Sequence, residues 1–484
     1  MRLRKAFLLC AVPAALLCGA SSPPQSRGQV APISATERSQ GQQASASLIA
    51  EFGGPYAGRQ AGYVANVARR VAVQSGLSSN PSDFTVTLLD SPVDNAFATP
   101  GGYVYVTRGL LALMNDESEL AAVLGHEVAH VAARHSQSRQ KAAQRNSILS
   151  VLGQVLVGAV AGDSGFGQLL GQGINTGAQL ATLGYSRGQE TQSDDLAVTY
   201  LRGAGYDTDG LATMLGSLAA QNRLDQQIAG DARSVPEWAS THPDPASRVR
   251  RATQRAQSAG GTTLPRNRDA FLTAIDGMLY GDNPRQGMIV GRDFLHPELK
   301  LAFTIPQGFK MTNGTRAVTI TGPNTQAQFS SATYAGNLRS HVDGIFRALV
   351  GQGVGDVRTT TINGVPTGYA QARANSGNSQ VDVTVFAYAM GGNAYHFIVL
   401  TPAGRGLGAA TSLVESFRPL SNAEAARARP RYLRVVTVKA GDTVASLARR
   451  MAVEQAQVER FRVLNNLTAN AVLRPGDKVK IVTY

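Results

Sequence analysis

Cysteine is nearly absent: Cys10 and Cys18 are the only two in 484 residues. A disulfide framework and thiol chemistry are therefore excluded for the body of the chain. Long apolar runs are missing as well, since the stretches at residues 6–17 and 148–161 are too short to cross a bilayer as helices. Acidic residues are scarce beside basic ones, 33 Asp+Glu against 46 Lys+Arg. The resulting charge of +13 favours anionic partners such as lipid head groups, cell-wall polymer or nucleic acid, without choosing among them. No motif supports nucleic acid.

What is present suffices for several cores. A hydrophobic share of 43% against 16% charged residues excludes wholesale disorder. The length exceeds what a single core normally supports, so the chain reads as multidomain. Arg2, Arg4 and Lys5 followed by the apolar run at 6–17 predict an export signal over residues 1–20, with small residues for cleavage at Gly19-Ala20. Lipid attachment at Cys18 fits less well, because Leu16-Leu17 precedes it. Residues 21–47, rich in Ser, Gln, Ala and Gly, read as a disordered linker.

Residues 48–258 then read as a mainly helical domain with a small sheet, and 265–420 as an α+β domain with hairpins turning at Asn363-Gly364 and Gly391-Gly392-Asn393. Residues 421–432 form an Ala/Arg linker and 433–484 a small βααβ unit. His296, His341 and His396 fall in the α+β domain at unrelated spacings and are read as non-ligands; that domain offers binding or scaffolding. The aliphatic and Gly-rich stretch at 148–183 is a buried element or a flap that touches the membrane surface.

The chemistry sits in a predicted helix that Asp116 can cap. His126-Glu127-Val128-Ala129-His130 places two imidazoles about 40° apart around a helix and about 6 Å apart along it, so both can reach one metal ion. That pattern suits zinc, with Glu127 as general base to a water activated by the metal. A third ligand is required, and Glu190 on a later helix can supply it while Asp194, one turn on, fixes a ligand imidazole in its tautomer. His135, five residues past His130, should point away from the metal.

Asn95-Ala96-Phe97, Gly101-Gly102-Tyr103-Val104-Tyr105, Thr107-Arg108-Gly109-Leu110, the helix from His126 to His135, Ser186-Arg187 with Glu190 and Asp194, and the segment from Ser240 to Arg248 occur in order. Together they resemble the HtpX and BepA type of gluzincin metallopeptidase, the group that also contains the CAAX prenyl proteases. The resemblance covers roughly residues 50–255 and implies a zincin-type domain holding one Zn2+ per chain through His126, His130 and Glu190, with Glu127 as catalytic base. It further implies that His242 gates the metal or contacts the reaction oxyanion, with Arg248 close by. The chain lacks the several long transmembrane segments of the HtpX branch and looks more like the exported, periplasmic branch. Gly102, Tyr103, Val104 and Tyr105 read as an edge strand that pairs with extended substrate, or else as an interior strand.

The last unit closely resembles a LysM module, which implies binding to N-acetylglucosamine-containing glycan, here peptidoglycan. The expected function is a zinc endopeptidase of the bacterial envelope, periplasmic or wall-bound, acting on unfolded or misassembled exported proteins. A peptidoglycan hydrolase and an assembly scaffold with latent protease activity are the alternatives.

Overall fold

The computed structural model describes residues 30–136, 185–229, 242, 244–314, 317–376 and 379–484. The expected export signal and the 148–183 stretch lie outside the described residues. Among the described residues, no helix is long and apolar enough to cross a membrane.

The first part runs α1 (Ala35–Glu51), α2 (Gln60–Ala72), β1 (Thr85–Leu89), β2 (Ala96–Thr99), β3 (Tyr103–Thr107), α3 (Arg108–Leu113), α4 (Glu117–Ala132), α5 (Arg187–Ala204), α6 (Gly210–Ala229), α7 (Pro245–Ala259) and α8 (Arg268–Ile275). Residues 35–47, expected to lie in a disordered linker, are helical instead. Ser34 and Glu37 cap α1 reciprocally, Glu37 pairs with Arg134, and Gly41 lies against Pro100 and Tyr103. Composition suggested disorder, but the cap and these contacts order the segment.

Helix α4 is buried on almost all sides. Asp116 accepts from the Glu119 amide at its start, and Gly125 admits α2, because a Cβ there would lie 3.0 Å from Val71 Cγ1. The strands form a sheet in the order β1-β3-β2, with β3 parallel to β1 and antiparallel to β2. Gly102, Tyr103, Val104 and Tyr105 therefore do not form an edge strand: Tyr103 to Tyr105 hydrogen-bond on both sides, and the Gly102 carbonyl oxygen accepts from the Thr85 amide. The outer strands are β1 and β2.

The α+β part follows with β4 (Leu279–Tyr280), β5 (Met288–Val290), β6 (Asp293–His296), β7 (Leu301–Thr304), β8 (Lys310–Asn313), β9 (Ala317–Gly322), β10 (Thr325–Ala332), α9 (Leu338–Val350), β11 (Arg358–Ile362), β12 (Val365–Ser376), β13 (Ser379–Met390), β14 (Asn393–Pro402), α10 (Ala410–Glu415) and β15 (Arg418–Pro419). Its main sheet has seven strands in the order β11-β12-β13-β14-β10-β9-β8. Both expected hairpins are present, with Asn363 and Gly364 at positive φ in one and Gly391 and Gly392 in the other. The start of the expected domain is corrected: Phe271, Leu272, Ile275 and Met278 sit in the core of the first part, not in that of the sheet.

Helix α11 (Asn422–Arg427), β16 (Arg431–Thr437), α12 (Val444–Ala448), α13 (Gln457–Leu464) and β17 (Lys478–Thr483) complete the chain. The expected linker at 421–432 thus holds a capped helix and the first residues of β16. Strands β16 and β17 pair antiparallel around the two helices, and β4 extends them to three strands. Leu433, Phe461 and Ile481 belong to the same apolar core as Leu120 and Phe271, so the terminal unit is packed onto the first part.

Candidate metal centre and its relatives

Two successive turns of α4 present His126 and His130, whose Nε2 atoms lie 3.0 Å apart. Helix α5 packs along α4 and presents Glu190, with its carboxylate oxygens 3.5 Å from His126 Nε2 and 3.4 Å from His130 Nε2. His242, just ahead of α7, places Nδ1 3.2 Å from His126 Nε2 and 3.1 Å from Glu190 Oε1. All four side chains are buried.

Donor atoms of His126, His130, Glu190 and His242 lie within 4.8 Å of one another. For ligand bonds of about 2.0–2.1 Å, the edge of a tetrahedron is about 3.3 Å, and the donor separations of 3.0–3.5 Å match it. Three ring nitrogens and a carboxylate aimed at one point cannot all satisfy each other by hydrogen bonding. The residues fit a divalent metal.

The surrounding groups hold these donors in place. Asp194 Oδ1 lies 3.0 Å from Nδ1 of His126, which leaves Nε2 of that ring to face the centre. Arg248 straddles both carboxylates of α5: its Nε and Nη2 donate to Asp194 at 2.9 and 2.6 Å, and its Nη1 lies 2.5 Å from Glu190. Glu127 lies on the far side of His242, with Oε1 3.4 Å from Nε2 of that ring. His242 thus sits between the donor cluster and the carboxylate next to it.

Charge follows from these contacts. Burial opposes ionisation of His126, but hydrogen bonds with Asp194 and Glu190 override it and push its pKa up to about 9. Burial holds His130 well below the usual histidine range, opposed by its hydrogen bond to Glu190 and assisted by the charges of His126 and His242. Burial opposes the charge on Glu190 too, yet the His242 charge and its imidazole hydrogen bonds drive its pKa far down. Asp194 is likewise lowered against burial by His126 and Arg248.

Two features were not legible in the spacing. His135 does not point away. Helix α4 ends at Ala132, and Arg134 takes a left-handed conformation (φ 52°), which turns the chain back so that His135 Nδ1 lies 2.9 Å from His130 Nδ1. On α5, Gln192 Oε1 lies 3.1 Å from Nε2 on the other side of that ring, and Ser193 Oγ lies 3.5 Å from the same Nδ1. Tyr185 stacks on His130 at a centroid distance of 3.6 Å. No periodicity signals a tyrosine ahead of a helix packing onto a ring of another helix.

Residues 58–256 match Peptidase family M48, and residues 436–482 match the LysM domain. The chain carries an M48 peptidase domain and a C-terminal LysM domain. Among curated relatives, the beta-barrel assembly-enhancing protease of Yersinia pestis is 31% identical over 197 residues, covering 40% of this chain and 38% of that protein. The protein of the same name from Escherichia coli (strain K12) is 27% identical over 213 residues, 43% of this chain and 42% of its own length. The mitochondrial metalloendopeptidase OMA1 of Schizosaccharomyces pombe is 32% identical over 190 residues, 39% of this chain and 51% of that protein. The chain therefore spans about two fifths of the bacterial relatives and half of the fungal one. The M48 domain bears out the expected metallopeptidase family, and its four-residue donor cluster could hold the metal such a domain requires.

Proposed function

We propose that this protein is a zinc endopeptidase of the bacterial envelope that hydrolyses unfolded or misassembled exported proteins. The observation that carries the reading is the convergence of His126, His130, Glu190 and His242 beside the buried carboxylate of Glu127. A bound zinc supplies Lewis acidity, which sharpens a water as nucleophile and stabilises negative charge on the scissile carbonyl oxygen. Glu127 takes the proton from that water and returns it to the leaving nitrogen. Asp194 and Arg248 fix the orientation of His126 and Glu190. Extended substrate pairs with the outer strand β2, since β3 is fully paired.

His242 supports a latent resting state. Its ring lies on the donor atoms with one nitrogen and on Glu127 with the other, in the space a water and a substrate carbonyl would need. Release of His242 opens that position. The LysM domain supports attachment to peptidoglycan, and the name of the bacterial relatives supports β-barrel assembly as the setting.

Incubating the full chain with a denatured protein and with purified sacculi, each with and without chelator, tests the reading. Chelator-sensitive cleavage of the denatured protein, with sacculi bound but uncut, is expected. Release of wall fragments would favour the peptidoglycan hydrolase. Restoration of envelope integrity by a Glu127→Gln variant would favour a scaffold that needs no hydrolysis.

A further inference from the structure

Helix α9 covers only part of one face of the seven-stranded sheet. It packs on β12 and β13, and beside it a cavity of about 580 Å³ opens over β10 and β14. The register places Ser330 opposite His396 and Gln328 opposite Ile398, so these four side chains share the cavity's floor. Asn337, Ser340 and His341 at the start of α9 form the wall. Among the described residues, no Asp, Glu, Lys or Arg lines it.

Two ring nitrogens here lack partners among the described residues. His396 is only 5% exposed; its Nε2 lies 3.0 Å from Ser330 Oγ, while its buried Nδ1 has no hydrogen-bond partner. His341 shares a hydrogen bond with the Thr333 backbone, and its buried Nε2 has none. Burial and then the His341 charge push His396 down to about 3, and burial lowers His341, so both rings are neutral near pH 7. With its N–H committed to Thr333, His341 offers Nε2 as a bare acceptor. His396 offers Nδ1 as donor or acceptor, according to how Ser330 turns. Buried polar atoms of this kind call for a partner. His341 meets His396 at a centroid distance of 5.7 Å, so the two lining imidazoles give the cavity an aromatic flank.

We propose that this cavity is a binding site for a neutral saccharide, gripped by His341, His396 and the Ser330, Ser340, Asn337 and Gln328 side chains. A sugar hydroxyl donates and accepts at once, which meets both imidazoles whatever the tautomer of His396. Its carbon-bound faces suit Ile398, Ile345 and the aromatic flank. An ionic ligand would lose hydration with no opposite charge among the described lining residues to replace it. The proposal is independent of the metal centre and of the LysM domain.

The test is a titration of full-length protein, labelled with ¹³C at histidine Cε1, with N,N′-diacetylchitobiose. The His341 and His396 resonances, assigned from His341→Asn and His396→Gln spectra, should shift together and saturate. The decisive variant is Gly344→Leu. Gly344 lines the cavity, is helical, and a Cβ there meets nothing within 4 Å, so leucine fills the space while leaving both rings in place. It should keep the fold by circular dichroism and weaken the response at least about tenfold. The proposal is overturned if neither resonance moves, if Gly344→Leu binds as well as wild type, or if an uncharged tripeptide displaces the sugar and binds more tightly.

Discussion

The Nζ of Lys480 lies 2.7 Å from the carbonyl oxygen of Ala112, which ties the last strand of the LysM domain to the end of α3. It also donates to the carbonyls of Leu113 and Met114, and the side chain is wholly buried. Asn115 and the cap Asp116 of the metal helix follow directly. Arg268 makes a second tie by donating to the carbonyls of Asn115 and Lys478. The LysM domain is thus built into the start of the helix that carries His126 and His130.

Lys480→Met should strip a donor from three carbonyls and lower stability by about 2–4 kcal/mol. In wild type the peptidase and LysM domains should unfold together, because they share one apolar core. Calorimetry checks both points. A LysM deletion that leaves the peptidase domain's melting temperature unchanged would refute the coupling.

Arg248→Met should be far more damaging than its neighbour Arg251→Met. Arg248 is 7% exposed and serves two buried carboxylates, whereas Arg251 is 46% exposed and pairs with a half-exposed Asp195. Losing the buried partner is expected to cost about 3–5 kcal/mol and losing the surface one about 0–1 kcal/mol, measured by denaturant unfolding.

His242→Ala should raise cleavage of a denatured protein while metal remains bound, because His126, His130 and Glu190 keep their places and the position facing Glu127 is opened. Unchanged cleavage would reject the gate.

Burial, reinforced by Asp225, pushes Asp94 from 3.8 up to about 7. The folded state therefore holds a proton that the unfolded chain releases near 3.8. Stability should fall as pH rises through that window and stay lower above 7. Asp94→Asn should flatten the decline, so thermal melts of the two proteins converge at acid pH and separate in favour of the variant at neutral pH.

Much of this architecture was legible beforehand because it rests on local patterns. Spacing on one helix brought His126 and His130 together, and turn residues marked the hairpins at Asn363-Gly364 and Gly391-Gly392. What the sequence left open or missed was tertiary. The place of β3 inside its sheet depends on β1 and β2 both choosing it as partner. The return of His135 depends on one left-handed residue, Arg134. The order of α1 depends on an ion pair between Glu37 and Arg134, nearly a hundred residues away in sequence. The juxtaposition of His341 and His396 needs a helix folded back onto a strand, and no spacing announces it.

The most direct test of the account is elemental analysis of the purified full chain beside Glu190→Ala and Glu127→Gln, with cleavage of a denatured protein measured on the same samples. The account predicts about one zinc per wild-type chain. Glu190→Ala should lose both metal and cleavage, whereas Glu127→Gln should keep the metal and lose at least about a hundredfold in rate. Full zinc occupancy in Glu190→Ala, or undiminished cleavage by metal-free wild type, would contradict it.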